Sequence, residues 1–178
     1  MKSVLIAYAT RYGATRYLAE TMSRLFAEAG VAADLHDLRS QGPLGDLSLY
    51  DGIIIGSGIK AGRWCKEAEA ALATLIDTSL PTALFVSCFE AYKSGEEQAA
   101  ATYIVPKAAM LDTPPKATVA LGPVFDLRPG LKLGFMEKRL YNAMLGRTRK
   151  EGIAVPDGEV TPLVSEDDLK RFVEEFLE

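Results

Sequence analysis

The residues best suited to chemistry stand in one short stretch near the start of the chain, Thr10-Arg11-Tyr12-Gly13-Ala14-Thr15. Two hydroxyls, an arginine and a glycine lie between an apolar run and the start of a helical pattern. Backbone amides at a helix start have no partner within the helix, and the helix dipole favours an anion there. Gly13 lets the backbone turn tightly toward a ligand. Thr10 and Thr15 offer hydroxyls, and Arg11 adds charge. The chemistry implied is phosphate binding. The stretch lacks the Gly-Lys-Ser/Thr ending of a P-loop, which disfavours a nucleoside triphosphate with magnesium. The alternative is a polar loop in which Thr15 only caps a helix.

Two further stretches offer surfaces for a flat ligand. Gly56-Ser57-Gly58-Ile59-Lys60-Ala61-Gly62-Arg63-Trp64 is rich in glycine and ends in a large aromatic. Its Gly56-x-Gly58-x-x-Ala61 spacing fits a loose dinucleotide fingerprint. The acidic residue about twenty positions on, Asp77, falls at a helix end rather than a strand end, and the fingerprint belongs after the first strand of its fold. Ser87-Cys88-Phe89-Glu90-Ala91-Tyr92 is less specific, since Phe89 or Tyr92 can stack on a ligand or pack on the core. Cys88 reads as a small buried residue at a strand end. Cys65 has only Arg63 and Lys66 beside it to favour a thiolate. The two cysteines match no disulfide framework, zinc site or thioredoxin motif. The single His36 argues against a His-rich metal site or a His-dependent hydrolase.

These stretches are set by an alternating order of elements. Apolar runs at Ser3–Tyr8, Val31–His36, Gly52–Ser57, Thr82–Cys88 and Ala117–Leu121 read as five strands. Helical spacing covers Thr15–Ala29, with Gly30 as its C-terminal glycine, and Lys66–Ile76, with Ala68, Ala71, Leu72, Leu75 and Ile76 on one face. It also covers Glu96–Leu111, with a kink expected at Pro106. Leu131–Leu145 reads as a helical insert. A last helix is capped by Ser165 and buries Leu169, Phe172, Val173 and Phe176. Strands that alternate with helices predict an α/β fold, a doubly wound five-stranded parallel sheet with a helical insert after the fifth strand; right-handed crossovers leave few strand orders, of which the flavodoxin-like 2-1-3-4-5 is one. Ligands of such sheets lie beyond the carboxyl ends of the strands, here at residues 9–15, 57–66 and 88–95.

The chain of 178 residues fits one domain, 1–178, with residues 122–150 as a basic insert within it. Its 48% hydrophobic and 25% charged residues exclude disorder, collagen and coiled coil as the main architecture. No apolar run approaches the ~18 residues of a membrane helix. The run Val4–Ala9 is too short for a signal-peptide core, so the chain is expected to start at Met1 and to be cytoplasmic. The net charge of −4 is unevenly spread. Residues 1–121 carry 11 basic and 13 acidic groups, 122–150 carry 7 and 2, and 151–178 carry 2 and 9. The basic stretch includes Arg128, Lys132, Lys138, Arg139, Arg147, Arg149 and Lys150. Interleaved with Leu131, Leu133, Phe135, Met136, Leu140, Tyr141, Met144 and Leu145, it reads as a basic amphipathic helix for an anionic membrane surface or an acidic partner. The alternative is a solvated helix packed on the domain.

Thr10-Arg11-x-Gly13-x-Thr15 resembles the phosphate loop of the flavodoxin family, Thr/Ser-x-Thr-Gly-x-Thr. With Arg11 it is similar to the branch of menaquinone-dependent protoporphyrinogen oxidases, which begin with Ser-Thr-Arg-x-Gly-x-Thr. Residues 56–64 are similar to the Gly-Ala-Ser-Ile-Arg-Tyr-Gly-His-Tyr-type segment of that branch. The resemblance implies non-covalent FMN. Its phosphate would lie on Thr10, Arg11, Tyr12, Gly13, Ala14 and Thr15. Its ring would lie against Ser57, Gly58, Ile59, Lys60 and Gly62, with Gly58 and Ile59 at the reactive edge and Trp64 flanking it. Ser87, Cys88 and Phe89 would cover the other side. It further implies an FMN-dependent oxidoreductase that passes electrons from a small organic donor to a quinone. The basic insert, with Arg128, Lys132, Lys138, Arg139, Arg147 and Arg149, would then meet an anionic porphyrinogen or the cytoplasmic face of the membrane, where quinone resides. No nucleic-acid partner is expected. The other reading is a flavodoxin-type electron carrier without its own substrate. Such carriers are usually strongly acidic so as to dock on basic partners, and the basic insert counts against this.

Overall fold

The computed structural model describes residues 1–127 and 134–178. The apolar runs form β1 (Ser3–Ala9), β2 (Ala32–Asp37), β3 (Gly52–Lys60), β5 (Thr82–Ser87) and β6 (Ala117–Leu121). These are parallel and lie in the order β2-β1-β3-β5-β6. Counted among the parallel strands this is the expected 2-1-3-4-5. A sixth strand, β4 (Arg63–Trp64), pairs antiparallel with the end of β3.

Successive side chains of a strand point to opposite faces, so each central strand feeds two cores. Val4, Ile6 and Tyr8 of β1 pack with Leu18, Met22 and Phe26 of α1 (Ala14–Glu28) and with Phe172 and Phe176 of α7 (Glu166–Leu177). Leu5, Ala7 and Ala9 join Ala68 and Leu72 of α2 (Lys66–Ala73) and Ala99 of α4 (Glu96–Tyr103) on the other face. The last helix starts as expected, with Ser165 Oγ accepting the Asp167 amide at 3.2 Å.

Register brings the three ligand loops together. Ala9 of β1 stands beside Ser57 of β3, and Gly58 beside Ser87 of β5. The loops after these strands therefore open at one end of the sheet, on either side of the switch point.

Several elements differ from the sequence expectation. The β2 strand has one neighbour and is only half-buried, whereas a buried strand was expected. The helix expected over 96–111 is two: α4, then α5 (Val105–Ala108). Pro106 falls in the first turn of α5, where its missing N–H leaves no helical bond unmade. The α2 helix stops at Ala73, and Ile76 is exposed rather than part of the buried face. A short helix, α3 (Phe89–Ser94), follows β5 directly where a loop was expected. The β3 strand runs three residues past Ser57 and turns at Ala61 (φ 49°) and Gly62 (φ 73°) into β4. Two successive positive φ angles make this a two-residue hairpin turn.

The insert begins on a small antiparallel ribbon that sequence periodicity did not show. In it β7 (Val124–Asp126) pairs with β8 (Val160–Pro162), ten residues beyond the insert's expected end at 150. The insert's helix, α6, spans Phe135–Lys150 and so runs past the expected end at Leu145. Arg128, Leu131, Lys132 and Leu133 lie outside the described residues.

Candidate cofactor site

Gly13 is the N-cap residue of α1 and sits in the left-handed region at φ 85°. Glycine is needed there, and it brings no side chain to cap the helix. The first free amides of α1 thus face the loop without a capping oxygen, which suits an anion. The loop is pre-shaped from within. Thr10 Oγ1 accepts the Gly13 amide at 3.1 Å, and Arg39 Nη1 donates to the Thr10 carbonyl at 2.7 Å. Thr15 is fully buried, yet among the described residues its Oγ1 has no hydrogen-bond partner, and neither has the Arg11 Nε. Buried polar atoms are normally satisfied, so these two orphans mark a place for an acceptor. A Cβ at Gly58 would stand 3.2 Å from that threonine hydroxyl, so glycine keeps the space clear.

The cleft is lined by Thr10, Arg11, Tyr12, Ala14 and Thr15 from the first loop, by Gly58, Ile59, Lys60 and Cys65 from the second, and by Ser87, Cys88 and Phe89 from the third. Pro123, Val124, Phe125, Tyr141 and Met144 complete it from the insert. Its volume is about 100 Å³, and it opens to solvent. Sites that enclose a drug-sized ligand measure roughly 300 Å³ or more, so an occupant the size of FMN would extend beyond it.

Not every residue singled out by the sequence faces this space. Ser57 is fully buried. Its Oγ accepts the Cys65 amide at 2.9 Å and donates to the Gly58 carbonyl at 3.0 Å. Trp64 is buried in the core, and its indole N–H donates to the Tyr103 carbonyl at 2.7 Å. Gly62 forms the exposed tip of the hairpin. Cys65 Sγ donates to the Gly58 carbonyl at 3.4 Å. Burial pushes the Cys65 and Cys88 thiols up, away from thiolate chemistry.

The structure adds residues that sequence reasoning did not assign. Arg11 Nη1 meets Glu137 Oε1 of α6 at 3.5 Å. The Gly134 amide bonded to Glu137 holds its carboxyl below the usual range, helped by Lys60, Arg39 and Arg11. Tyr12 packs on Tyr141 with ring centres 5.6 Å apart. Tyr141 is buried and donates to the Asp126 carbonyl at 3.1 Å, and burial raises its pKa to about 12. Tyr141, Met144 and Leu145 share a helical face, which was a readable signal. Nothing local pairs Glu137 with Arg11, 126 residues earlier.

The basic residues of the insert divide. Arg149 is bound to the Val155 carbonyl and to Asp157, and Arg147 to Glu151. Lys138 and Arg139 are exposed on α6. No group of three or more His, Cys, Asp or Glu residues able to hold a metal occurs among the described residues.

An open parallel sheet with an uncapped helix start and orphaned donors at its switch point defines a doubly wound α/β protein built to hold a phosphorylated ligand. Residues 5–148 match the flavodoxin domain, and the chain belongs to that family, whose cofactor is FMN. Solved structures agree in fold. A short-chain flavodoxin associated with a non-canonical PDU bacterial microcompartment is 12% identical, with a TM-score of 0.57 over 99% of this chain and 97% of that one. An oxidoreductase from Corynebacterium diphtheriae is 11% identical, with a TM-score of 0.51 over 99% and 94%. The rubredoxin oxygen:oxidoreductase of Desulfovibrio gigas is 14% identical with a TM-score of 0.50, and the match takes in 37% of its length. No curated protein sequence matches the chain.

Proposed function

We propose that this chain is an FMN-dependent oxidoreductase that moves electrons from a small organic donor to a quinone, in the manner of menaquinone-dependent protoporphyrinogen oxidases. The observation that carries the reading is the insert's share of the cleft. Tyr141 and Met144 of α6, with Phe125 of β7, line the same cleft as the first loop, and Tyr141 packs on Tyr12 of that loop. A carrier that exchanges electrons only by surface docking needs no such lining.

FMN, when bound, supplies the redox chemistry, and the chain supplies position and charge. Thr15 Oγ1 and the first amides of α1 would hold the phosphate, with Arg11 as its countercharge once released from Glu137. Gly58, Ile59, Lys60, Ser87, Cys88 and Phe89 would flank the ring. Ser57 acts behind them by fixing the Gly58 carbonyl and the Cys65 amide. Arg11 and Lys60, which line the cleft, offer cations suited to a donor bearing carboxylates.

The test is anaerobic mixing of the FMN-loaded protein with protoporphyrinogen and a soluble menaquinone analogue. Donor-dependent quinone reduction is expected. A yellow protein that shows none is an electron carrier, and a colourless protein that FMN cannot reconstitute overturns both readings.

A further inference from the structure

The α6 helix has two unlike sides. At about 100° per residue, Tyr141, Leu145 and Thr148 point to the domain and are buried, with Glu137 and Met144 beside them. Phe135, Met136, Arg139, Leu140, Ala143, Arg147 and Lys150 fall on the opposite arc and are exposed. Phe135 is 77% exposed and Met136 62%. The only acidic residue of the helix, Glu137, is turned to Arg11. The outward arc thus combines protruding apolar side chains with cations, of which Arg147 is paired with Glu151. Arg139 lies over the Phe135 ring at 5.9 Å, so charge and apolar surface meet at one spot.

We propose that this outward face of α6 docks the protein on an anionic lipid bilayer. The helix would lie in the interfacial plane, with Phe135, Met136 and Leu140 among the acyl chains and Arg139 and Lys150 at the headgroups. Charge complementarity selects the occupant. The chain as a whole carries −4, so an anionic surface repels most of it and attracts this face. Lipid also accepts protruding apolar tips without a shaped counterpart, which a protein partner would need to supply. The inward face is already fixed to the domain by the Tyr141 and Glu137 contacts, so docking requires no refolding of α6. This inference stands on the placement of α6 and not on the redox reading, since lipid binding can hold where quinone reduction fails.

The experiment is flotation of the FMN-loaded full chain with vesicles of mixed phosphatidylcholine and phosphatidylglycerol, against phosphatidylcholine alone. Binding is expected only to the mixed vesicles, falling as salt rises. Arg139→Glu with Lys150→Glu should weaken it at least about tenfold, since each basic residue near such a surface is worth roughly fivefold. Met136→Ser with Leu140→Ser should weaken it by about tenfold on the same vesicles through lost apolar insertion. All four positions are exposed, and FMN titration by fluorescence quenching checks that the cleft is intact. Absence of binding to mixed vesicles overturns the proposal, as does binding that neither double variant weakens. Retention on soluble polyglutamate without vesicle binding also overturns it, in favour of an acidic protein partner.

Discussion

The first and second loops flank the same cleft, yet they treat their polar groups in opposite ways. In the first, Thr15 Oγ1 and Arg11 Nε are left without partners among the described residues, and the start of α1 has no side-chain cap. In the second, Ser57 Oγ is engaged twice, Cys65 bonds through its amide and its thiol, and the Trp64 indole is bonded into the core. One loop holds donors in reserve for a ligand, and the other has committed its groups to its own shape. Substitution should therefore cost ligand affinity in the first loop and folding stability in the second.

The largest effect is expected where the second loop meets the core. A Cβ at Gly56 would lie 2.1 Å from the Phe85 ring, so Gly56→Val should cost about 3 kcal/mol or more of stability, read from the urea midpoint. Ser57→Ala strands the buried Cys65 amide and should cost about 1–3 kcal/mol, with a smaller effect on FMN affinity. Thr15→Val should do the reverse. It removes an unsatisfied buried hydroxyl and leaves the urea midpoint level or raised. It should weaken FMN about tenfold or more by deleting one hydrogen bond to a charged group. Equal losses of stability in Ser57→Ala and Thr15→Val would break the contrast.

The smallest effect concerns the bridge between the first loop and α6. The Glu137 carboxyl is lowered in the folded protein, so its contribution is present above its unfolded value and is lost as pH falls through the folded one. Acid below about pH 4 should loosen α6, seen as a drop in near-ultraviolet dichroism from Tyr12 and Tyr141. Glu137→Gln should flatten that part of the profile and show the lower signal already at neutral pH.

The same contrast explains what the sequence made legible. The sheet order and the phosphate loop follow from local patterns: apolar runs, helical spacing and a glycine at a helix start. The place of Gly13 and Thr15 at the start of α1 was legible because it depends on neighbours in the chain. That of Trp64 was not, because its partner is the carbonyl of Tyr103, far along the sequence. The hairpin after β3 had one weak local sign in Gly62, and Ala61 at a positive φ gave none. The β7–β8 ribbon joins segments about thirty-five residues apart through three residues each, too short for a period to show.

That ribbon has a consequence for how the fold can be varied. Val124 pairs with Pro162 and Asp126 with Val160, and the Leu127 amide donates to the Glu159 carbonyl at 2.9 Å. The chain thus leaves and re-enters at adjacent points, while α6 between them also rests on the domain through Tyr141 and Glu137. The segment is a cassette: a short Asn-Gly turn grafted across the ribbon would close the gap. What remained would keep every parallel strand and the phosphate loop. The helix that walls the cleft could then be exchanged between relatives without rewiring the sheet.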